Sequence, residues 1–340
     1  MKNLTILAIE SSCDETAAAV YTSKEGLRSS IIYSQLEIHK DSGGVIPEVA
    51  SRSHLEKINI IVTQALEVAH KKLTDIDVLA ITSKPGLPGS LLVGLCFGKA
   101  IAWAKNIKLI GVNHLEGHIF SAFIENKVEF PFLCLTASGG HTALYLVTNF
   151  GEYVLLGQTT DDAAGEAFDK CAKLLGLGYP GGPIIETLAQ ENNFKDVCDF
   201  PRGKQQQSLD FSFSGIKTAV LYNLVDRNLM TVKDKSANQV DINIKKDIAS
   251  SLLVCVGDIF EKKLSLAFKK FPEIKSITFV GGVACNKYLK ERLRVWSEKR
   301  NLKYFTPSAQ YCTDNAAMIA FVGHYKAQQD KFDSFDLDIF

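Results

Sequence analysis

The chain has 340 residues, enough for two lobes that each bury a core, and 46% of them are hydrophobic, which excludes a disordered chain. Lys+Arg and Asp+Glu both total 38, so the net charge is zero and any contact with nucleic acid must come from a local patch. The eight cysteines are scattered without a CxxC pair, which points to reduced thiols in a cytoplasmic protein and away from a disulfide framework.

The opening MKNLTILAIESSCDET reads as neither a signal nor a transit peptide, because its apolar run is short and Glu10, Asp14 and Glu15 follow at once. LTILAIESS is a strand, TAAAVY a second, and the tight connection SSCDE suits a hairpin. EVASRSHLEKINIIVTQALEVAHKKL has helical periodicity, with Ile58, Ile61, Val62, Ala65, Leu66 and Ala69 on one face. IDVLAIT is a strand, GSLLVGLCFGKAIAWAKN a buried helix, and KLIGV a strand that leads into NHLEGH. The helical run breaks at Lys99, short of membrane-spanning length, so no membrane contact is expected.

The pattern then restarts. FPFLCLTA, TALYLVT and EYVLLGQT are strands, the first two joined by the glycine-rich turn SGGH. Later come the helix KKDIASSLLVCVGDIFEKKLSLAFKKF, the strand SITFVGG, the helix NKYLKERLRVWSEKR, the strand KYFTP and the closing helix DNAAMIAFVGHYK. An internal duplication is the economical reading of this α/β chain. It predicts an N-terminal lobe over 1–130 and a C-terminal lobe over 131–340, with an insertion at about 163–245. Within the insertion, KQQQSLDFSFSG is polar and VDRNLMTVKDKSANQVDIN is expected to be an exposed loop. SSCDET and SGGHT occupy equivalent places in the two copies. Such turns are either plain hairpins or the two halves of a phosphate clamp, and their repetition favours the clamp.

His114 and His118 are four residues apart, so on a helix they share a face and can reach one metal ion. Zinc proteases use this spacing in HExxH, where the glutamate lies about 80° round the helix from the midpoint of the histidines. Glu116 lies about 180° from that midpoint, on the opposite face, which removes the base that a protease needs. Two solvent-facing histidines are the alternative for an isolated HxxxH.

The motifs ESSCDET, PGLPGSLLVG, NHLEGH, SGGHT, DDAAGEAFDK, LGYPGGP, DFSFSGIKT, GGVACN and CTDNAAMIA together resemble the tRNA adenosine threonylcarbamoyltransferase family, formerly labelled O-sialoglycoprotein endopeptidase. The resemblance implies the duplicated two-lobe fold of actin, the sugar kinases and the Hsp70 ATPases. It implies transfer of a threonylcarbamoyl group from threonylcarbamoyl-adenylate to N6 of adenosine 37 in tRNAs that read codons starting with A. It further implies that His114, His118 and Asp314 hold one divalent metal, of iron(II) type though zinc would also fit. From the residues alone, Asp314 also suits a helix N-cap.

The same resemblance implies substrate binding by Thr136, Ala137, Ser138, Gly139 and Gly140, and by Asp169, Gly182 and Asn286, with Glu186 as a further ribose contact. Each has a physical reason. Glycines admit a phosphate to backbone N–H groups, Asp169 accepts from two ribose hydroxyls, and Gly182 with the Gly281–Gly282 pair leaves room for a base. His141 is either a further contact or a core histidine. The sequence departs from the commonest family pattern at Ala137 and Cys285, neither of which changes an expected ligand.

The activated donor leaves positioning and charge stabilisation as the main catalytic tasks, and Asp14 or Glu15 is the candidate acceptor for the amine proton. The acceptor base lies in the single-stranded tRNA anticodon loop. Lys287, Lys290, Arg292 and Arg294 form either an RNA contact or a solvated helix face. The resemblance also implies a paralogous partner of the same fold and a P-loop ATPase. Three other readings stand beside this one: a small-molecule kinase of the same fold, a metalloprotease, and a catalytically silent partner subunit.

Overall fold

The computed structural model describes residues 2–40, 44–203, 207–233 and 239–339. The chain divides into one unit made of Met1–Asn126 with Thr313–Phe340 and another made of Lys127–Cys312.

The first unit is built on five strands: β1 (Thr5–Glu10), β2 (Glu15–Thr22), β3 (Gly26–Ser34), β4 (Val78–Lys84) and β5 (Lys108–Asn113), in the order β3-β2-β1-β4-β5. β1 pairs antiparallel with β2 and parallel with β4, so the SSCDET turn is a hairpin, as its length predicts. Between β3 and β4 run the short α1 (Leu36–His39) and the long α2 (Pro47–Val68). α3 (Pro88–Lys105) precedes β5, and α4 (His114–Phe120) follows it directly. Leu7 and Ile9 of β1 pack with Ile58, Ile61 and Leu91 on one face of the sheet. The other face is covered by α11 (Ala316–Gln328) from the C-terminal end of the chain. Both faces are buried, which is why β1 reads as a continuous apolar run.

The second unit repeats the plan with β6 (Phe132–Ala137), β7 (Thr142–Asn149), β8 (Glu152–Gln158), β9 (Ser276–Val280) and β10 (Lys303–Phe305), in the order β10-β9-β6-β7-β8. Again the first strand pairs antiparallel with the second and parallel with the fourth. The duplicated α/β architecture expected from the sequence is therefore present strand for strand. Between β8 and β9 this unit carries α5 (Ala164–Leu174), α6 (Gly181–Glu191) and α7 (Ser214–Asp226) before the long α8 (Ile242–Lys270). α9 (Lys287–Glu298) lies between β9 and β10.

Three expectations are corrected. β3 was not foreseen. The insertion expected at about 163–245 is largely core: α5, α6 and α7 pack with α8, and Phe211 and Phe213 of the stretch read as polar, KQQQSLDFSFSG, are fully buried, as is Phe200. Of the stretch expected to be an exposed loop, Val225 and Asp226 end α7, and Met230 and Val240 are buried. Residues 204–206 and 234–238 of these stretches lie outside the described residues.

The third correction concerns the lobes. After the short α10 (Ala309–Cys312), the chain returns to the first unit, and α11 (Ala316–Gln328) packs on β1, β2 and β4. The cause is visible in its composition. Ala316 to Val322 are all buried, and Gly323 lies so close to β4 that an added Cβ would stand 2.4 Å from the Ala80 Cβ. The boundary thus falls at 126/127, and residues 313–340 do not belong to the C-terminal unit. No described helix is long and apolar enough to cross a membrane.

Candidate functional site

The candidate residues fall into two groups, one in each unit. In the first, β5 delivers the chain to Asn113, whose side-chain oxygen accepts from the N–H groups of Leu115 and Glu116 and so starts α4. His114 and His118 then lie on one face, with ring centroids 4.7 Å apart. The return of the chain brings Asp314 to them. Its Oδ1 is 3.0 Å from His118 Nε2 and 3.4 Å from His114 Nε2. Asp314 is not the N-cap of α11. Asn315 takes that part, accepting from Met318 N–H, and leaves the aspartate free to face the histidines.

One donor atom from each of the three residues lies within 4.8 Å of the other two. Two imidazole nitrogens and one carboxylate oxygen, nearly shut off from water, are a donor set that suits a divalent transition ion. The local charge points the same way. Burial opposes a charge on His114, but the Asp314 and Glu10 carboxylates outweigh it and hold the imidazole well above its usual pKa. Burial likewise opposes the Asp314 anion, and His114 and His118 hold it well below the usual carboxylate range. Glu116 is buried on the far side of the helix, where Lys326 Nζ meets it at 2.9 Å. It has no access to a water on such an ion.

Sequence reasoning missed Glu10. This fully buried carboxylate ends β1 and accepts from His114 Nδ1 at 2.9 Å. The one signal for it was an acid closing an otherwise apolar strand.

The SSCDET turn adjoins this group. His54 Nε2 donates to the Cys13 carbonyl at 2.9 Å, and its Nδ1 accepts from Thr16. Gln35 N–H donates to the Asp14 carbonyl. Glu15 accepts from Ser34 Oγ, and burial together with the charges of Asp314 and Asp14 holds its carboxyl well above the usual range.

In the second unit, β6 ends at Ala137 and the turn 138–141 closes through Ser138 N–H to the His141 carbonyl. Thr136 and Ala137 are buried within the sheet, so of the five expected loop residues only Ser138, Gly139 and Gly140 present side chains or Cα atoms outward. A Cβ on Gly139, Gly140 or Gly182 would meet nothing within 4 Å. Gly281 differs from expectation. Its φ is +92°, and an added Cβ would lie 2.3 Å from the Ala137 oxygen, so the β6 backbone requires this glycine directly.

Contacts join the remaining predicted residues into a ring. Gly165 at the start of α5 donates to the Ser138 carbonyl, and one turn on Asp169 accepts from Gly181 N–H at 2.7 Å. Burial raises the Asp169 carboxyl, and that hydrogen bond partly offsets it. Glu186 on α6 accepts from Lys287 and Tyr288 N–H at the start of α9, beside Asn286, which caps α9 by accepting from Leu289 N–H. Gly281 leads back to Ala137. Glu186 and Asn286 thus have structural work in addition to any contact with a ligand. Asp161, also missed, ties two motifs together by accepting from Ser212, Phe213 and Ser214. Arg292 and Arg294 are engaged by acids on their own surface, with Asp258 and Glu261 around the first and Glu291 and Glu298 around the second.

A family model described as tRNA N6-adenosine threonylcarbamoyltransferase matches residues 26–321. A curated relative of that name from Geotalea uraniireducens (strain Rf4) is 46% identical over 98% of this chain and 94% of its own length. Another, from Clostridium perfringens (strain SM101 / Type A), is 48% identical over 96% and 94%. Among solved structures, component A of the Acidaminococcus fermentans (R)-2-hydroxyglutaryl-CoA dehydratase matches with a TM-score of 0.54 and 16% identity, covering 96% of this chain and 99% of that one. Full-length HypF in a phosphate- and nucleotide-bound form matches with a TM-score of 0.63 and 12% identity, covering 98% of this chain and 48% of that one. These structures show the fold, the doubled α/β architecture of actin, the sugar kinases and the Hsp70 ATPases. The match over residues 26–321, with close relatives along nearly the whole length, shows that the chain belongs to the tRNA N6-adenosine threonylcarbamoyltransferase family.

Proposed function

We propose that the chain transfers the threonylcarbamoyl group of threonylcarbamoyl-adenylate to N6 of adenosine 37 in tRNAs that read codons starting with A. Identity at the level of half the residues with transferases of that name, over almost the entire chain, carries the reading. His114, His118 and Asp314 are the residues that would hold a divalent ion, iron(II) by preference and zinc as the alternative. Such an ion supplies positive charge for the oxygens of an anionic donor.

The chain's own groups divide the remaining work. Backbone N–H groups of Ser138, Gly139 and Gly140 receive phosphate oxygens, and the open space at the two glycines supports this. Asp169 keeps Oδ2 for ribose hydroxyls, since its bond from Gly181 uses Oδ1. Gly182 leaves space for the adenine, and Asn286 bonds it through its side-chain amide. Thr136 and Ala137 take part only through the backbone that they set. Attack by an aromatic amine releases a proton, and Glu15, raised chiefly by burial, is better matched to receive it than an ordinary carboxylate, with Asp14 beside it.

The protein partners we propose are a paralogue of the same fold and a P-loop ATPase, with a cytoplasmic setting; family membership supports all three. Reconstituted transfer tests the reading. Synthetic threonylcarbamoyl-adenylate, an unmodified tRNA and the two partner proteins should give threonylcarbamoyl-adenosine only when this chain is added. ATP-dependent phosphorylation of a small metabolite with no tRNA product would refute it in favour of a kinase.

A further inference from the structure

We propose that Glu10 is a positioning residue for the metal centre: its carboxylate grips His114 at Nδ1 and aims Nε2 at the ion. This rests on the reading of His114, His118 and Asp314 as ligands.

The carboxylate itself is fixed from several elements. Oε1 accepts from Ser12 N–H within the β1–β2 turn. Oε2 accepts from Thr82 Oγ1 on β4 at 2.7 Å and from His114 Nδ1 on α4 at 2.9 Å. Ser12 Oγ also stands 3.1 Å from the same Nδ1. The residue is fully buried, and a buried carboxylate is costly without donors around it. Parallel pairing of β1 with β4 puts Thr82 beside the end of β1, so the sheet register sets where the carboxylate lies. Once it is neutral, as binding an ion requires, an imidazole whose Nδ1 donates to such an acceptor carries its lone pair on Nε2, the nitrogen that faces Asp314.

His118 provides the contrast within the same helix. Its Nε2 also faces Asp314, but its Nδ1 is buried with no hydrogen-bond partner among the described residues. One ligand is therefore anchored from behind and the other is not. If Glu10 is the anchor, removing its charge should leave His114 as loosely held as His118. Second partners of ligating histidines typically contribute ten- to a hundredfold in metal affinity.

The experiment uses the full chain, stripped of metal and titrated with Zn²⁺ against a chromophoric chelator. We expect Glu10→Gln to weaken Zn²⁺ binding about ten- to a hundredfold. Glu10→Asp, which keeps the charge but shortens the reach, should fall between that variant and the wild type. A purely structural acid would lower the melting temperature of the metal-free chain and leave the affinity of the folded protein unchanged, and that outcome overturns the proposal. Should Glu10→Gln fail to fold, ¹⁵N histidine spectra of the Zn²⁺-loaded wild type decide. Nδ1–H with zinc on Nε2 of His114 supports the anchor, and zinc on Nδ1 refutes it. His118→Ala separates the two levels of the claim. If it and His114→Ala keep wild-type affinity, the metal centre fails and this role with it. If they lose the ion while Glu10→Gln does not, only the role of Glu10 fails.

Discussion

Asp169 accepts the Gly181 N–H through one oxygen, and asparagine in its place would keep that bond while losing the charge. Asp169→Asn should therefore fold normally and bind the adenylate about ten- to a hundredfold more weakly, since charge-assisted hydrogen bonds contribute roughly 1.5–3 kcal/mol each. The ribose is remote from the reacting carbonyl, so the loss should appear in KM with kcat largely intact. Steady-state kinetics in the reconstituted system would show this. A collapsed kcat at unchanged affinity would place Asp169 in the chemistry.

The two histidines should respond differently to truncation. His118→Ala removes a proposed metal ligand but leaves Asp314 paired with His114, so it should abolish metal binding at a stability cost of about 1–2 kcal/mol. His114→Ala strips Glu10 of its counter-charge in the interior and should cost more, about 3–5 kcal/mol. Metal analysis beside a thermal melt distinguishes them.

The pH dependence has a defined sign. In the metal-free chain the folded pKa of His114 is raised above its unfolded value of 6.5. Its stabilisation is complete below that unfolded value and is lost as pH rises through the folded one. The stability gap between metal-free wild type and His114→Ala should narrow with rising pH; a constant gap would contradict the assignment. That His114 and His118 share a face was legible from i, i+4 spacing, and Asp314 as a candidate third ligand only from the family motif. Glu10 was not legible, because a single acid has no periodicity and only the register of β1 against β4 brings it to α4.

At the scale of elements, α11 matters most to the metal group because Asp314 immediately precedes it. Gly323→Ala would force a methyl group against Ala80, and overpacking of this kind costs typically 1–3 kcal/mol. We expect a lower melting temperature and weaker Zn²⁺ binding together; unchanged metal affinity would show that the seat of α11 does not set the position of Asp314. Strands buried on both faces, such as β1 and β6, were plain in the sequence as apolar runs. β3 was not, because it is an edge strand whose residues are mostly half-exposed and include Arg28 and three serines. The inserted region misled for the opposite reason. Its polar and charged residues are conspicuous, while Phe200, Phe211 and Phe213, spaced without a clear period, bury themselves against Phe260 of α8 or in the core around it.

The molecule as a whole uses one strand plan twice, and each copy carries a different group of candidate residues. The candidate metal ligands His114, His118 and Asp314 lie in the first unit, and the proposed substrate residues of the 138–140 loop, Asp169, Gly182, Glu186 and Asn286 lie in the second. The duplication was legible because both copies repeat strand–turn–strand followed by helix–strand–helix. The return of the last segment was not, since sequence order places α11 with its neighbours in the chain and only its packing against β1 and β4 assigns it to the first unit. The central claim, that this chain forms threonylcarbamoyl-adenosine and needs its metal ligands to do so, is tested most directly by mass spectrometry of tRNA from cells depleted of it. The modified nucleoside should fall on depletion, recover with the wild-type chain and stay low with folded His118→Ala. An unchanged level after depletion, or full recovery with the metal-free variant, would contradict it.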